Sequence, residues 1–525
     1  MPKRFLRPEL ALFVGIWLVL MIGGRSRFFR DPGTFWHTVV GEQMLASGRL
    51  IYEDTFSFTF RGQPWSPHQW LGECIMAGLH RIGGLDSLLL AAVTALACLY
   101  AWLACRLMRA GLHWSLAALG AALTVAASAS HFHVRPHIAT ILFMGVTFGL
   151  LVDYEARRIS CAKLWWLVPV YLLWTNLHGG MLGGLGTIGL AIVGWCAARA
   201  LRLPSPITRW THALWLIAIL FACGLTALVN PYGVRLPMIW LEIMDSPILP
   251  QIIQEHAPLD PTKPDGLIVL CLALVYVLTL VGALPSWPRV TWVLPVVWFY
   301  LACTRIRHAP LFSITAGLAI ADMLPHTIWA RILARRGSDL FRFQDESDKA
   351  VDGFSWRAIL APLGIVFVGL ALQASQVPVP LLGHNWAKLD PDYWPTQLQA
   401  DLQAYERSVP AGTPIFNEYL YGGFLIYYTP GLKVLVDDRC ELYGDRWLQD
   451  YVRAESQQTA RQIKEWQDRY PRFNAALTRT GSGFDQYFAS ANEWKSISRT
   501  PTATLYERRP ASDRAAAGKA PHDSK

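Results

Sequence analysis

The sequence predicts an α-helical, polytopic membrane protein of about eleven spans that ends in a small α/β domain. Three observations predict it. Of the 525 residues, 53% are hydrophobic and 16% charged, against about 25% charged in an ordinary soluble domain. The deficit lies almost wholly before about Ser375, and the remainder is long enough to bury a core of its own. Lysines and arginines gather in alternate loops between apolar runs, as membrane topology demands.

The spans are apolar runs near the 20 residues that cross a bilayer: 9–27, 85–107, 112–130, 136–154, 163–177, 180–200, 211–230, 265–284, 288–303, 309–326 and 356–376. The run at 163–177 is short and the run at 288–303 opens with prolines. The basic start MPKRFLRPEL, followed by ALFVGIWLVLMIGG, reads as an uncleaved first span, since no convincing small-residue cleavage site follows. Lys3, Arg4 and Arg7 place the N-terminus in the cytoplasm. Alternation keeps the basic loops around Arg106, Arg158, Arg202 and Arg335 on that side. Loops 28–84, 131–135, 176–180, 231–264 and 304–308, and the tail beyond 376, then face outward, taken here as the periplasm beyond an inner membrane. Arg25, Arg27, Arg30, Arg135, Arg305 and Arg307 lie outward against the charge rule and require another reason.

Residues 34–47 and 69–82 have helical periodicity but are too short to span. They are expected to be interfacial helices, as is 235–244. The chain divides into a membrane domain (1–376), a soluble α/β domain (377–510) and a disordered end (511–525). Within the soluble domain, 395–408 and 444–468 read as helices, and 414–417, 433–438, 473–479 and 503–509 as strands. The net charge of +9 is explained by the loops, so no nucleic-acid partner is expected. The nine cysteines form no CxxC pair and no Cys/His cluster at metal spacing. Cys440 is alone in the soluble domain, which excludes a disulfide there.

Polar residues with chemical potential crowd the outward face. Asp31, in RDPGTFWHTVV, reads either as a general base or as a helix cap. The segment EDTFSFTFRGQPWSPHQWLGE brings Asp54, His68 and Glu73, with aromatics suited to an interface. HFHVRPH holds Arg135 and His137. Its histidines read as a metal site or a solvated turn, and Arg135 as a phosphate ligand. WTNLHGG supplies Asn176 and His178, and NPYG supplies Tyr232. CTRIRHAP supplies Arg305, Arg307 and His308, which suit a phosphate-bearing lipid headgroup or bulk anionic lipid. Glu255 and His256 lie on the same side, as does His37. In the soluble domain, VDDR (436–439) reads either as a ligand-facing strand end or, with better odds, as a capped turn with an Arg–Asp pair. A transporter or lipid flippase requires ionisable groups near mid-bilayer, and the predicted spans contain almost none. A non-catalytic envelope-assembly scaffold would tolerate change at Asp31.

The layout resembles the GT-C superfamily of membrane glycosyltransferases, which includes protein O-mannosyltransferases and the aminoarabinose transferases of lipid A. The resemblance rests on a first span, an outward Asp, two helices in the first loop, many further spans and an outward soluble domain. A bacterial branch is matched more closely by DPGTFWHTVVGEQMLASGRLIYEDTFSFTFRGQPWSPHQWLGE, RPH, LWTNLHGG, NPYG and FNEYLYGGFLIYYTPGLKVLVDDRCELYG. It implies inverting transfer of a sugar from a polyprenyl-phosphate donor to a glycan, lipid or protein acceptor, with Asp31 as base. In better-studied members a second acid often adjoins that Asp. Here Arg30 and Pro32 flank it, so Asp54 is taken as the partner acid. His37, His68, Glu73, Arg135, His137, Asn176, His178, Tyr232, Glu255, Arg305, Arg307 and His308 form the expected substrate-binding set. No cofactor is required by this reading; some oligosaccharide-transferring relatives bind a divalent metal, for which the sequence offers no ligand set.

Overall fold

A computed structural model describes residues 8–284, 286–337, 339–343, 357–375, 385–457 and 459–510. The expectations for Lys3, Arg4, Arg7 and Lys349 and for the end of the chain at 511–525 lie outside these residues. A helix covers each of the eleven predicted spans. By length and apolarity six of them are long enough to cross a membrane: Pro8–Arg27, Trp70–Arg109, Ile138–Glu155, Met181–Ala200, Trp210–Leu228 and Pro264–Ala283. Ile306–His326 with Ile328–Arg335, bent by 54°, makes a seventh. Trp114–Ser128, Leu167–Leu177, Val290–Thr304 and Leu360–Gln373 are shorter. The proline-rich run breaks where sequence chemistry requires it: Pro295 starts a new helical segment after Val290–Val293.

The interfacial helix expected at 69–82 and the span expected at 85–107 form one element, Trp70–Arg109, with non-helical backbone at Gly83 and Gly84. The φ of 61° at Gly84 is left-handed, which glycine adopts without steric cost. The helix expected at 34–47 forms at Gly33–Ser47. It is covered on both sides rather than laid open: Phe35, His37 and Val40 are fully buried. The helix Arg235–Asp245 keeps an apolar face exposed through Met238, Leu241 and Met244.

The end of the bundle opposite Asp31 is not purely cationic. Asp153 accepts from Arg106 (2.6 and 2.9 Å) and from Arg158 (3.0 Å). Asp322 pairs with Arg158 and with Arg289, the latter at 2.5 Å. The basic loops on this side are therefore partly neutralised by acids at helix ends.

The soluble domain is built on a five-stranded sheet in the order β2-β1-β3-β5-β4. Its strands are β1 (Thr413–Asn417), β2 (Leu432–Val434), β3 (Ala475–Arg479), β4 (Trp494–Arg499) and β5 (Ala503–Arg508). β1 runs parallel to β2 and β3, and β5 antiparallel to β3 and β4. Strand β4 was not expected: WKSISR exposes most of its side chains and has no clean apolar alternation. The predicted helix at 444–468 is two helices, Cys440–Ser456 and Thr459–Arg469.

The free edge of β2 is capped by the first outward loop. Phe58 N donates to the Val434 carbonyl (3.0 Å) and Val434 N to the Phe56 carbonyl (3.1 Å). Thr59 Oγ1 donates to the Leu435 carbonyl at 2.7 Å. This covers an edge that would otherwise present unpaired amides. A shared apolar core follows, with Phe35, Trp36, Phe56 and Trp65 of the first loop packed among Trp394, Leu398, Ile415 and Phe424. Two of the arginines expected to lie outward against the charge rule serve the same docking. Arg25 Nε donates to the Trp386 carbonyl (3.0 Å) and Arg30 pairs with Asp390 (2.5 Å).

Arg439 sits at the middle of this interface with its side chain fully buried. It contacts Asp54 at 2.8 Å and Asp437 at 2.6 Å, and its guanidinium carbon lies 4.6 Å from the Trp65 ring centre. Removing one partner of such a buried pair typically costs about 3–5 kcal/mol. Arg439→Met, which leaves two acids unpaired, is expected to destabilise the docked domain by about that amount. Detergent-solubilised protein should show a lower thermal midpoint and earlier proteolytic release of the soluble domain.

Candidate active site

Asp31 follows the first span on a tight turn and is 8% exposed. Its Oδ1 accepts the Gly33 amide at 2.7 Å, and its Oδ2 accepts Arg135 Nη1 at 2.8 Å. One oxygen thus closes the turn that leads into the helix Gly33–Ser47, and the other pairs with Arg135. The two loops are locked together: Val134 N donates to the Phe28 carbonyl (2.9 Å) and Thr34 Oγ1 to the Val134 carbonyl (2.8 Å). Gly33 is needed here, since a Cβ would fall 2.7 Å from Arg135 Nε.

The histidines of 131–137 radiate from Arg135. His131 Nδ1 lies 3.1 Å from Glu255 Oε2, and His137 Nε2 donates to the His131 carbonyl at 2.8 Å. Burial opposes ionisation of Glu255, but His131, Arg135 and Arg307 hold its carboxylate well below the usual range. Burial pushes the His137 imidazole well down, with His131 and Arg135 adding to it. Among the described residues, no three His, Cys, Asp or Glu side chains converge as metal ligands.

Beyond Glu255 the site turns cationic. Arg307 hydrogen-bonds His256 Nε2. Neither Arg305 nor Arg307 lies within ion-pair distance of a carboxylate among the described residues. His178 accepts at Nδ1 from the Gly180 amide (3.0 Å) and from Thr140 Oγ1 (2.8 Å), which leaves its proton on Nε2. The ring stands 6.3 Å from that of His137. Asp31, Arg135, His137, His178, Glu255, Arg305, Arg307 and His308 are therefore parts of one electrostatically connected cluster.

The remaining expected residues lie deeper or aside. His37 Nδ1 meets Glu73 Oε1 at 2.8 Å, both side chains being buried. His68 accepts from Gln69 and faces Glu441 at 3.7 Å. Asn176 accepts from Trp70 Nε1 and donates to the Val229 carbonyl. It lines an open, mostly apolar groove of about 770 Å³ with Trp70, Leu172, Val229 and Pro231. Tyr232 Oη donates to the Ile51 carbonyl at 3.3 Å.

Asp54 is not placed beside Asp31. Its carboxylate accepts from Phe56 N (3.1 Å), Ser57 N (3.0 Å), Ser57 Oγ (2.6 Å) and Arg439 (2.8 Å). Burial raises its pKa, but Arg439 and Ser57 outweigh that and hold it below the usual range. These contacts make Asp54 a clamp on the soluble domain. The acid that feels the charge of Asp31 is instead Asp438. The capped-turn reading of VDDR holds for Asp437, whose oxygens take Arg439 N, Nε and Nη2 and Tyr443 Oη. Asp438, the next residue, is left to face the cluster, and the tandem acids at a strand's carboxyl end were the signal for it.

The comparisons with known proteins bear on the fold. No protein-family model and no curated protein matches the chain. Among solved structures, the archaeal oligosaccharyltransferase AglB from Archaeoglobus fulgidus, in complex with an inhibitory peptide and a dolichol-phosphate, has a TM-score of 0.50 at 10% identity. The similarity covers 90% of this chain and 69% of that one. The Archaeoglobus fulgidus oligosaccharyltransferase tethered to an acceptor peptide containing the NVT sequon gives 0.50 at 11% identity, with the same coverage. Apo ArnT from Cupriavidus metallidurans is matched at 0.48 and 15% identity, over 95% of this chain and 97% of that one. These structural neighbours are GT-C glycosyltransferases, and at such identities the likeness is one of fold.

The Glu255 carboxylate gives a pH test. Its depressed pKa contributes stability that is present above the ordinary value of about 4.3 for an unfolded Glu and is lost as pH falls through the folded value. The stability gap between wild type and Glu255→Gln, measured by chemical denaturation, is expected to be full at neutral pH. It should narrow progressively once the pH drops below about 4.

Proposed function

We propose that the chain is an integral membrane glycosyltransferase that moves a sugar from a polyprenyl-phosphate-linked donor to an acceptor at the periplasmic face, with inversion. One observation carries this reading: Asp31 and Arg135 form a part-buried pair that continues, within one cluster, into Arg305 and Arg307, neither of which makes a contact ion pair with a carboxylate among the described residues. An acid beside a cationic recess, at one end of a GT-C fold, suits attack on one side and phosphate departure on the other. The reading takes the chain across the membrane eleven times, with the N-terminus in the cytoplasm and the C-terminal domain in the periplasm. The open groove by Trp70 and Asn176 suits lateral entry of an isoprenoid chain.

In the step we infer, Asp31 takes the proton as the acceptor O–H bond breaks. The acceptor oxygen forms a bond to the anomeric carbon from the face opposite the phosphate. The bond from that carbon to the phosphate oxygen breaks, and its electron pair leaves with the phosphate. Arg305 and Arg307 hold the charge that develops there; Arg is suited to phosphate because its donors form a planar fork. His178, His256 and His308 line the same recess as neutral partners or donors, while Arg135 fixes the orientation of Asp31.

Two variants test this reading, assayed for sugar transfer from an undecaprenyl-phosphate-linked donor to envelope acceptors. Asp31→Asn keeps the shape but removes the base and should lower transfer by roughly 100- to 10,000-fold. Arg307→Met should lower it by roughly 100-fold or more. Full activity in Asp31→Asn would overturn the proposal.

A further inference from the structure

The turn after β2 carries two acids with opposite fates. Asp437 is saturated by Arg439 and Tyr443. Asp438 Oδ1 is buried without a hydrogen-bond partner. Two adjacent glycines explain how this turn reaches Asp31. A Cβ on Gly422 would fall 2.6 Å from Asp437 Cα, and a Cβ on Gly423 would fall 2.2 Å from the Pro32 carbonyl oxygen. The first turn of the helix Gly422–Tyr428 is thus wedged between the backbones that precede Asp438 and follow Asp31. Any side chain there would drive the two acids apart.

The groups that face Asp438 come from several elements. Asp31 and Arg135 approach from the first and second outward loops, Asp437 and Cys440 from its own turn, Tyr419 from the end of β1 and Tyr393 from the segment leading into the soluble domain. Nearby in the same cluster, His137 and His256 are 5% and 2% exposed, and each has an Nδ1 without a partner. These buried polar atoms are not satisfied by the fold.

We propose that Asp438 is the second carboxyl of the Asp31 site, an acid supplied by the soluble domain that contacts the acceptor. The proposal rests on the reading of Asp31 as the base. The two acids divide the work. Asp31 is engaged by Arg135 and the Gly33 amide, donors that suit an ionised carboxylate. Asp438 lacks such donors at Oδ1, and burial, reinforced by Asp31, pushes its carboxyl well above the usual range against the pull of Arg135. Kept neutral, it donates its O–H to an oxygen of the acceptor while Asp31 removes the proton of the attacking group. Pairs of carboxyls whose surroundings separate their protonation are how one site holds an acid and a base together.

The test uses the full chain in lipid nanodiscs. Dicyclohexylcarbodiimide, an apolar reagent for protonated carboxyl groups, is applied at neutral pH and labelled peptides are mapped by mass spectrometry. Asp438 is expected to be labelled in the wild type and at least about 10-fold less in Asp31→Asn, where Arg135 is released to pair with it. No labelling of Asp438 in the wild type, or equal labelling in both proteins, overturns the proposal. In the transfer assay with an undecaprenyl-phosphate-linked sugar, Asp438→Asn should lose roughly 100-fold in rate and lose the alkaline limb of the pH profile, with partial rescue by Asp438→Glu. An inactive Asp31→Asn beside an Asp438→Asn with wild-type rate and profile sinks this inference and leaves the glycosyltransferase reading standing. A fully active Asp31→Asn sinks both. Unfolding separates function from folding. A raised carboxyl pKa costs the fold stability as pH rises, so Asp438→Asn should be at least as stable as wild type at neutral pH, and the difference should vanish below about pH 4.

Discussion

The structure depends on keeping one guanidinium out of water. Arg439 has no exposed side-chain surface, and an isolated cation so buried would be prohibitively unstable. Two carboxylates make it tolerable, and they come from different parts of the chain: Asp437 is two residues away, whereas Asp54 belongs to the first membrane loop. Trp65 and Phe56 cover the faces of the guanidinium. Asp437 alone balances its charge; the second carboxylate, Asp54, reaches it only when the C-terminal domain is seated on the loop. Such an arrangement adds little net stability compared with an apolar contact, but it makes misdocking expensive. That rigidity extends to the preceding residue, because the backbone that anchors Arg439 also carries Asp438.

Much of the architecture was legible because bilayer crossing and positional charge leave strong marks. Apolar runs located a helix at every expected span, and β1, β2, β3 and β5 were visible as short apolar runs between turn signals. The crowding of polar groups on one face was legible too, and Asp31, Arg135, Glu255 and Arg307 do lie in one cluster. What the sequence hid was partnership across long separations. Asp54 looked like a second acid because it shares a loop with Asp31, yet its oxygens are consumed by Ser57, Phe56 and Arg439. Nothing local distinguishes a carboxylate that will meet a buried arginine hundreds of residues later. Asp438 was obscured in the converse way, since its neighbour Asp437 fits the ordinary capped turn so well.

The outward arginines also sort into kinds that charge counting cannot separate. Arg25 and Arg30 fasten the segment entering the soluble domain to the end of the first span. Arg135 orients an acid, and Arg305 and Arg307 are left for anionic chemistry. The arginines that break the predicted charge pattern therefore differ in their partners: two fasten the C-terminal domain, one pairs with Asp31, and two make no contact ion pair among the described residues. On the other side of the bundle, Asp153 and Asp322 bind Arg106, Arg158 and Arg289, so even the conforming arginines are held by helix-end acids.

The strand edge that the first loop covers has a consequence for how the molecule is made. Thr59 and Leu435, bonded in the finished protein, are separated by 376 positions. Chains are synthesised from the N-terminus at about 5–20 residues per second, so the loop waits tens of seconds after it emerges before β2 exists. During that interval Asp54 lacks Arg439 and the Phe56–Phe58 backbone lacks Val434, and Asp438 has not been synthesised. A chain that stops short of β2 is therefore incomplete, and it shows unpaired backbone and aromatic surface. Completion of the last domain is what removes that mark.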